Sequence, residues 1–118
     1  MKKILTAAFL LCIPFAASAD VYVDPRCNDL EGRELADCAF KVRNQTEAEL
    51  AKTYREALGY YPLKAKLQQA QKMWKDLAEY ECASQSMSSY AAVDFSFCYV
   101  RKMQHREKEI RQLYLTSF

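Results

Sequence analysis

The chain has 118 residues, with 17 Lys and Arg against 15 Asp and Glu for a formal net charge of +2, which bounds it to one small domain. That near balance excludes the basic excess a nucleic-acid or anionic-membrane partner calls for. Two glycines and three prolines are too few for the tight turns of a β-sandwich, and good helix formers dominate instead.

Lys2 and Lys3 precede an apolar run of about thirteen residues, Ile4 to Ala16, too short to span a bilayer. Ala17-Ser18-Ala19 follows with small side chains, completing the layout of a secretory signal. We therefore expect residues 1–19 to be removed, residues 20–118 to form a single helical domain, and the protein to be periplasmic or secreted without stable membrane insertion. Cys12 follows Leu11 rather than the small residue that lipid attachment requires, so it leaves with the signal. Loss of Lys2 and Lys3 brings the net charge to about zero. The remaining charges are sorted: residues 20–37 carry six acids against two arginines, and residues 98–118 carry five bases against two acids.

After an extended leader with a turn at Asp24-Pro25, Asp29 is a plausible cap for the first helix. Leu35, Cys38, Ala39 and Val42 share one face, and Leu50, Tyr54, Ala57 and Leu58 continue the helical spacing. Between them Asn44-Gln45-Thr46, with Glu49 at capping-box distance from Thr46, allows either one long helix or two consecutive ones. Gly59 to Pro62 is the clearest break, glycine suiting a left-handed helix end and proline the start of the next helix. Leu63, Leu67, Ala70, Trp74, Leu77 and Glu81 then form a seam, and a serine-rich connection runs from Ala83 to Val93. Asp94 can cap a last helix striped by Phe95, Tyr99, Met103, Arg106, Ile110 and Leu113. The fold expected is all-α: an up-down-up bundle of three helices, the first continuous or broken in two.

Cys27, Cys38, Cys82 and Cys98 remain after export, an even number in an oxidising compartment. Zinc is the rival reading, but C-x-x-C is absent and the single histidine, His105, stands seven residues past Cys98. Two disulfides are favoured, and three pairings are open. The up-down-up topology gathers all four cysteines at one end, which makes the sequential pairing, Cys27 with Cys38 and Cys82 with Cys98, the one we expect.

No nucleophile elbow, glycine-rich phosphate loop or H-E-x-x-H occurs, so no catalytic residue, metal or cofactor is expected. Glu79 and Glu81, two residues apart, fall on different helix faces and suit a solvated surface better than acid–base work. Trp74 lies in the apolar stripe and reads as core. Gln71 is placed to bridge to a neighbouring helix, and Arg106, set in an apolar stripe, to pair with Glu49 or Glu81.

The segment Leu67-Gln68-Gln69-Ala70-Gln71-Lys72-Met73-Trp74, followed by Tyr80-Glu81-Cys82, resembles the middle-helix signature of the LprI-type lysozyme-inhibitor family. Cys27 and Cys38 match its early cysteine pair, Glu49-Leu50 with Tyr54 the segment after it, and Cys98, Arg106 and Leu113 its final helix. Lys52 stands where many relatives have asparagine, and Ser84 to Ser89 replaces their glycine-rich loop.

The resemblance implies a non-enzymatic exported protein that inhibits lysozyme or another cell-wall hydrolase by occluding its cleft. The alternative is a periplasmic immunity or adaptor protein for a toxin or envelope complex. Either way the partner is a protein, and the binding surface is expected at the clamped end, on Asp29 and Glu34 of the leader and Met87 and Tyr90 of the connection. Leu67, Trp74, Leu77, Ile110 and Leu113 are expected to be consumed by packing. Intact-mass analysis of exported protein should give a chain starting at Asp20; a retained N-terminus or a lipid on Cys12 contradicts the export reading.

Overall fold

The computed structural model describes residues 22–85 and 91–116; the expected signal at residues 1–19 with Cys12, and Met87 and Tyr90, lie outside the described residues. A short 3-10 turn, Pro25–Cys27, precedes three helices: α1 (Gly32–Tyr60), α2 (Lys64–Gln85) and α3 (Ala91–Tyr114). No strand occurs among the described residues. Short connections force each helix to reverse on the last, which gives the up-down-up bundle.

Helix α1 is unbroken over 29 residues, roughly 44 Å of rise. Thr46, which has the sequence character of a cap, is buried and donates its hydroxyl to the Val42 carbonyl at 2.8 Å. With its polar group satisfied inside the helix, nothing there competes with the backbone ladder. The helix starts later than Asp29 suggests. Asp29 takes a left-handed φ of 67°, Gly32 follows with φ 56°, and the N-cap is Glu31, whose side chain makes no capping hydrogen bond. Left-handed backbone at Asp29 and at Gly32, the first residue of the helix, turns the chain as it enters α1, and glycine is the residue that tolerates this best.

The α1–α2 break does not use glycine as expected. Gly59 stays within the last turn, and positive φ occurs only at Asp29 and Gly32 among the described residues. The helix stops where Tyr61 becomes extended, its N–H held by the Ala57 carbonyl at 2.8 Å, and Pro62 has no N–H with which to continue. Asp94 likewise lies in the first turn of α3 rather than capping it, where its charge complements the helix dipole.

Helices α1 and α3 form the main interface; α2 lies along α3 and scarcely touches α1. Val42, Leu50 and Ala57 of α1 meet Val100, Met103 and Ile110 of α3 in the core, to which α2 adds Leu67, Ala78 and Cys82. Both disulfides have the sequential pairing, Cys27–Cys38 and Cys82–Cys98. Leader, α1 start, α2 end and α3 start are thereby fastened at one end of the bundle.

The seam of α2 is rotated from the expected one. Leu67 is buried and Trp74 half-buried, but Leu77 is 57% exposed and the line continues through Ala78 and Cys82. A strict 4-3 alternation repeats every 3.5 residues, whereas a straight helix turns every 3.6 and drifts off such a stripe. The bond from Cys82 to Cys98 sets the rotation, so Ala78 faces α3 and Leu77 turns outward. On α3 Ile110 is buried, whereas Leu113 is 56% exposed. Tyr114 takes the inward position there, edge-on to Tyr61 at 4.9 Å, and closes the far end.

This register predicts unequal truncations. Leu67→Ala should cost about 2–5 kcal/mol and half-buried Trp74→Ala about 3 kcal/mol. Exposed Leu77→Ala should stay within about 0.5 kcal/mol. Urea unfolding with the disulfides intact measures all three.

Candidate functional site

The end carrying both disulfides has the features from which a binding surface can be built. The leader is anchored by a carboxylate. Asp24 is 2% exposed and caps the 3-10 turn, accepting from the Arg26 N–H at 2.9 Å, from Arg26 Nε and Nη2 at 2.9 and 3.1 Å, and from the Tyr22 hydroxyl at 3.4 Å. The Arg26 guanidinium beside it holds the Asp24 carboxyl below its ordinary value, against the opposing effect of burial. The Tyr22 ring in turn lies under the Arg101 guanidinium of α3, 5.2 Å from the centroid. The leader is thus tied to α1 by Cys27–Cys38 and to α3 by Arg101.

A chain of rings holds the helices together behind this end. Arg43 of α1 sits 5.7 Å over the Phe95 ring and donates to buried Ser96 Oγ at 3.4 Å. Phe95 stacks near Tyr99 at 5.7 Å, and Tyr99 near Trp74 of α2 at 6.1 Å. Burial, reinforced by the nearby Glu79 and Glu47, pushes the Tyr99 hydroxyl up to about 12. Trp74 is therefore engaged by packing.

The polar ties between helices differ from those expected in one respect. Gln71 accepts from Arg106 Nε at 2.9 Å, so it does bridge α2 to α3. Arg106 Nη1 pairs with Glu109 at 3.2 Å rather than with Glu49 or Glu81, because Glu109 lies one turn along the same helix. Glu81 instead pairs with Lys102. Thr53 of α1, 1% exposed, donates to Glu107 at 3.1 Å and accepts from Arg111 at 3.0 Å. Three of the five bases of the last helix segment are thus held in contacts to other helices, and Arg101 covers a ring.

Asp29 and Glu34 are exposed at the clamped end, as are Glu31 and Asp37. Beside them is an open groove of about 630 Å³. Val23 and Leu30 of the leader, Leu35 of α1 and Phe97 of α3 supply its apolar walls; its charged lining consists of Glu31 and Asp94. This groove, Asp24 and Arg101 escaped the sequence reading. Asp24-Pro25 signalled a turn, but burial of the carboxylate depends on contacts between distant segments. His105 and Glu79 are exposed, and among the described residues no three His, Cys, Asp or Glu side chains gather as a metal site.

The lowered Asp24 value gives a sign. A carboxyl held below its ordinary 3.8 stabilises the fold fully above that value, and the contribution disappears as the pH falls through the folded-state value. Asp24→Asn should therefore be less stable than the native chain at neutral pH and indistinguishable from it in strong acid; thermal unfolding across that range checks this.

A search of curated proteins and one of solved structures each find no match to the chain. A family model does match, described as lysozyme inhibitor LprI, over residues 27–114. That span runs from the first paired cysteine to the tyrosine closing the far end and takes in all three helices. The chain belongs to the LprI lysozyme-inhibitor family.

Proposed function

We propose that this is an exported, non-enzymatic protein of the cell envelope that inhibits a lysozyme-type cell-wall hydrolase by covering its cleft with the disulfide-clamped end. Membership of the lysozyme-inhibitor family is the observation that carries the reading. Two disulfides fit an oxidising compartment, and no described helix is long and apolar enough to cross a membrane. The contact surface comprises the leader with Asp29, the first turn of α1 with Glu34, and the connection with Met87 and Tyr90. Asp29 and Glu34 are exposed, and Cys27–Cys38 ties the leader to α1, so this part of the surface is held in place before binding. An acidic surface also speeds encounter with a cationic enzyme.

Purified residues 20–118 should slow cell-wall clearing by a lysozyme at near-stoichiometric ratios. Asp29→Lys with Glu34→Lys should lower the association rate by about tenfold at low salt, with less effect at high salt. Met87→Ala with Tyr90→Ala should weaken inhibition by about fivefold to thirtyfold, the range of a truncated aromatic anchor. No inhibition at large molar excess across several lysozyme types would transfer the protein to the immunity or adaptor class.

A further inference from the structure

The groove at the clamped end has walls from three separated segments: Val23 and Leu30 in the leader, Leu35 in α1 and Phe97 in α3. Those segments are not independent. Cys27–Cys38 joins the leader to α1, the Tyr22–Arg101 contact joins it to α3, and Phe97 is 1% exposed in the core. The walls are therefore set before anything binds, and an occupant meets little ordering cost. The groove is open to one side and has a volume of about 630 Å³, room for a side chain rather than an enclosed ligand. Its apolar lip is accessible, since Val23 is 40% exposed.

The charged residues of its lining are both acidic. Glu31 and Asp94 are the charged residues of the lining, and Glu31 makes no capping hydrogen bond to α1. Asp29 and Glu34 stand exposed nearby in sequence with Arg33 exposed between them, whereas Arg26 of the leader is taken up by Asp24. The other apolar exposure, Met73, Leu77 and Tyr80 on α2, carries the mixed pair Lys72–Asp76 on the same helix, and nothing indicates what would cover it.

We infer that the groove receives an apolar side chain flanked by lysine or arginine from a surface loop of a cationic protein. This rests on the inhibitor reading and adds the anchoring point: the loop inserts its apolar residue between Val23, Leu30 and Leu35 while its base meets Glu31. Long-range attraction then governs association, and the inserted side chain governs dissociation.

Val23→Asp separates these roles because it removes the apolar lip while adding acid. Measured by surface plasmon resonance against a cationic c-type lysozyme, it should dissociate at least tenfold faster with association no slower. Val23→Leu should restore slow dissociation, and Glu31→Lys should slow association. Leu77→Asp on α2 should change neither rate. Far-UV circular dichroism and disulfide mapping verify that each variant is folded. Val23→Asp binding as well as or better than the native chain overturns the groove while leaving the inhibitor reading intact, and so does a Leu77→Asp loss equal to that of Val23→Asp. A native chain that binds no cationic lysozyme overturns both.

Discussion

Helix α2 has essentially one neighbour. It lies along α3 and barely meets α1, so its rotation and height rest on a few contacts with α3, of which the Cys82–Cys98 bond is the covalent one. With that bond made, Ala78 turns inward, Trp74 comes beside Tyr99 and Gln71 comes within 2.9 Å of Arg106. A helix held on a single side needs only a narrow apolar line, and its remaining apolar residues stay outside. That accounts for the exposure of Met73, Leu77 and Tyr80 without assigning each of them a function.

The polar groups in the interior specify more than they stabilise. Arg106 is 6% exposed and satisfied at Nε and Nη1, but Nη2 is buried with no protein partner. An unsatisfied buried donor costs about 1–3 kcal/mol, so an apolar replacement of suitable shape need not weaken the bundle. A helix slid by one turn would separate buried Arg106 from half-buried Gln71 and leave the guanidinium short of a further partner, which disfavours the wrong register. Thr53, between Glu107 and Arg111, imposes the same condition on α1 against α3.

Charge is arranged along the bundle rather than around it. The acids of the leader remain at the clamped end, while the bases of α3 run away from it and are largely taken up by Glu81, Gln71, Thr53 and the Tyr22 ring. A chain whose formal net charge is only +2 therefore presents a locally acidic end. Net charge alone would hide this sorting, because opposite charges at the two parts of the bundle cancel in the sum.

Much of the architecture was legible because it follows from local chemistry. Helix-forming composition, two stripes of helical period and the break at Pro62 specify three helices, and short connections then bring the cysteines together as Cys27–Cys38 and Cys82–Cys98. The middle-helix residues Leu67 to Trp74 and Tyr80 to Cys82 also carried the family likeness. Other features were decided only by tertiary structure, for identifiable reasons. Whether α1 breaks at Thr46 turned on where one hydroxyl found an acceptor. The exposure of Leu77 and Leu113 turned on a disulfide and a tyrosine pair that rotate each helix by a fraction of a turn, less than periodicity resolves. The burial of Asp24 and the groove beside Glu31 require the leader to lie against α3, and a contact such as Tyr22 with Arg101, far apart in the chain, leaves no local pattern in the sequence.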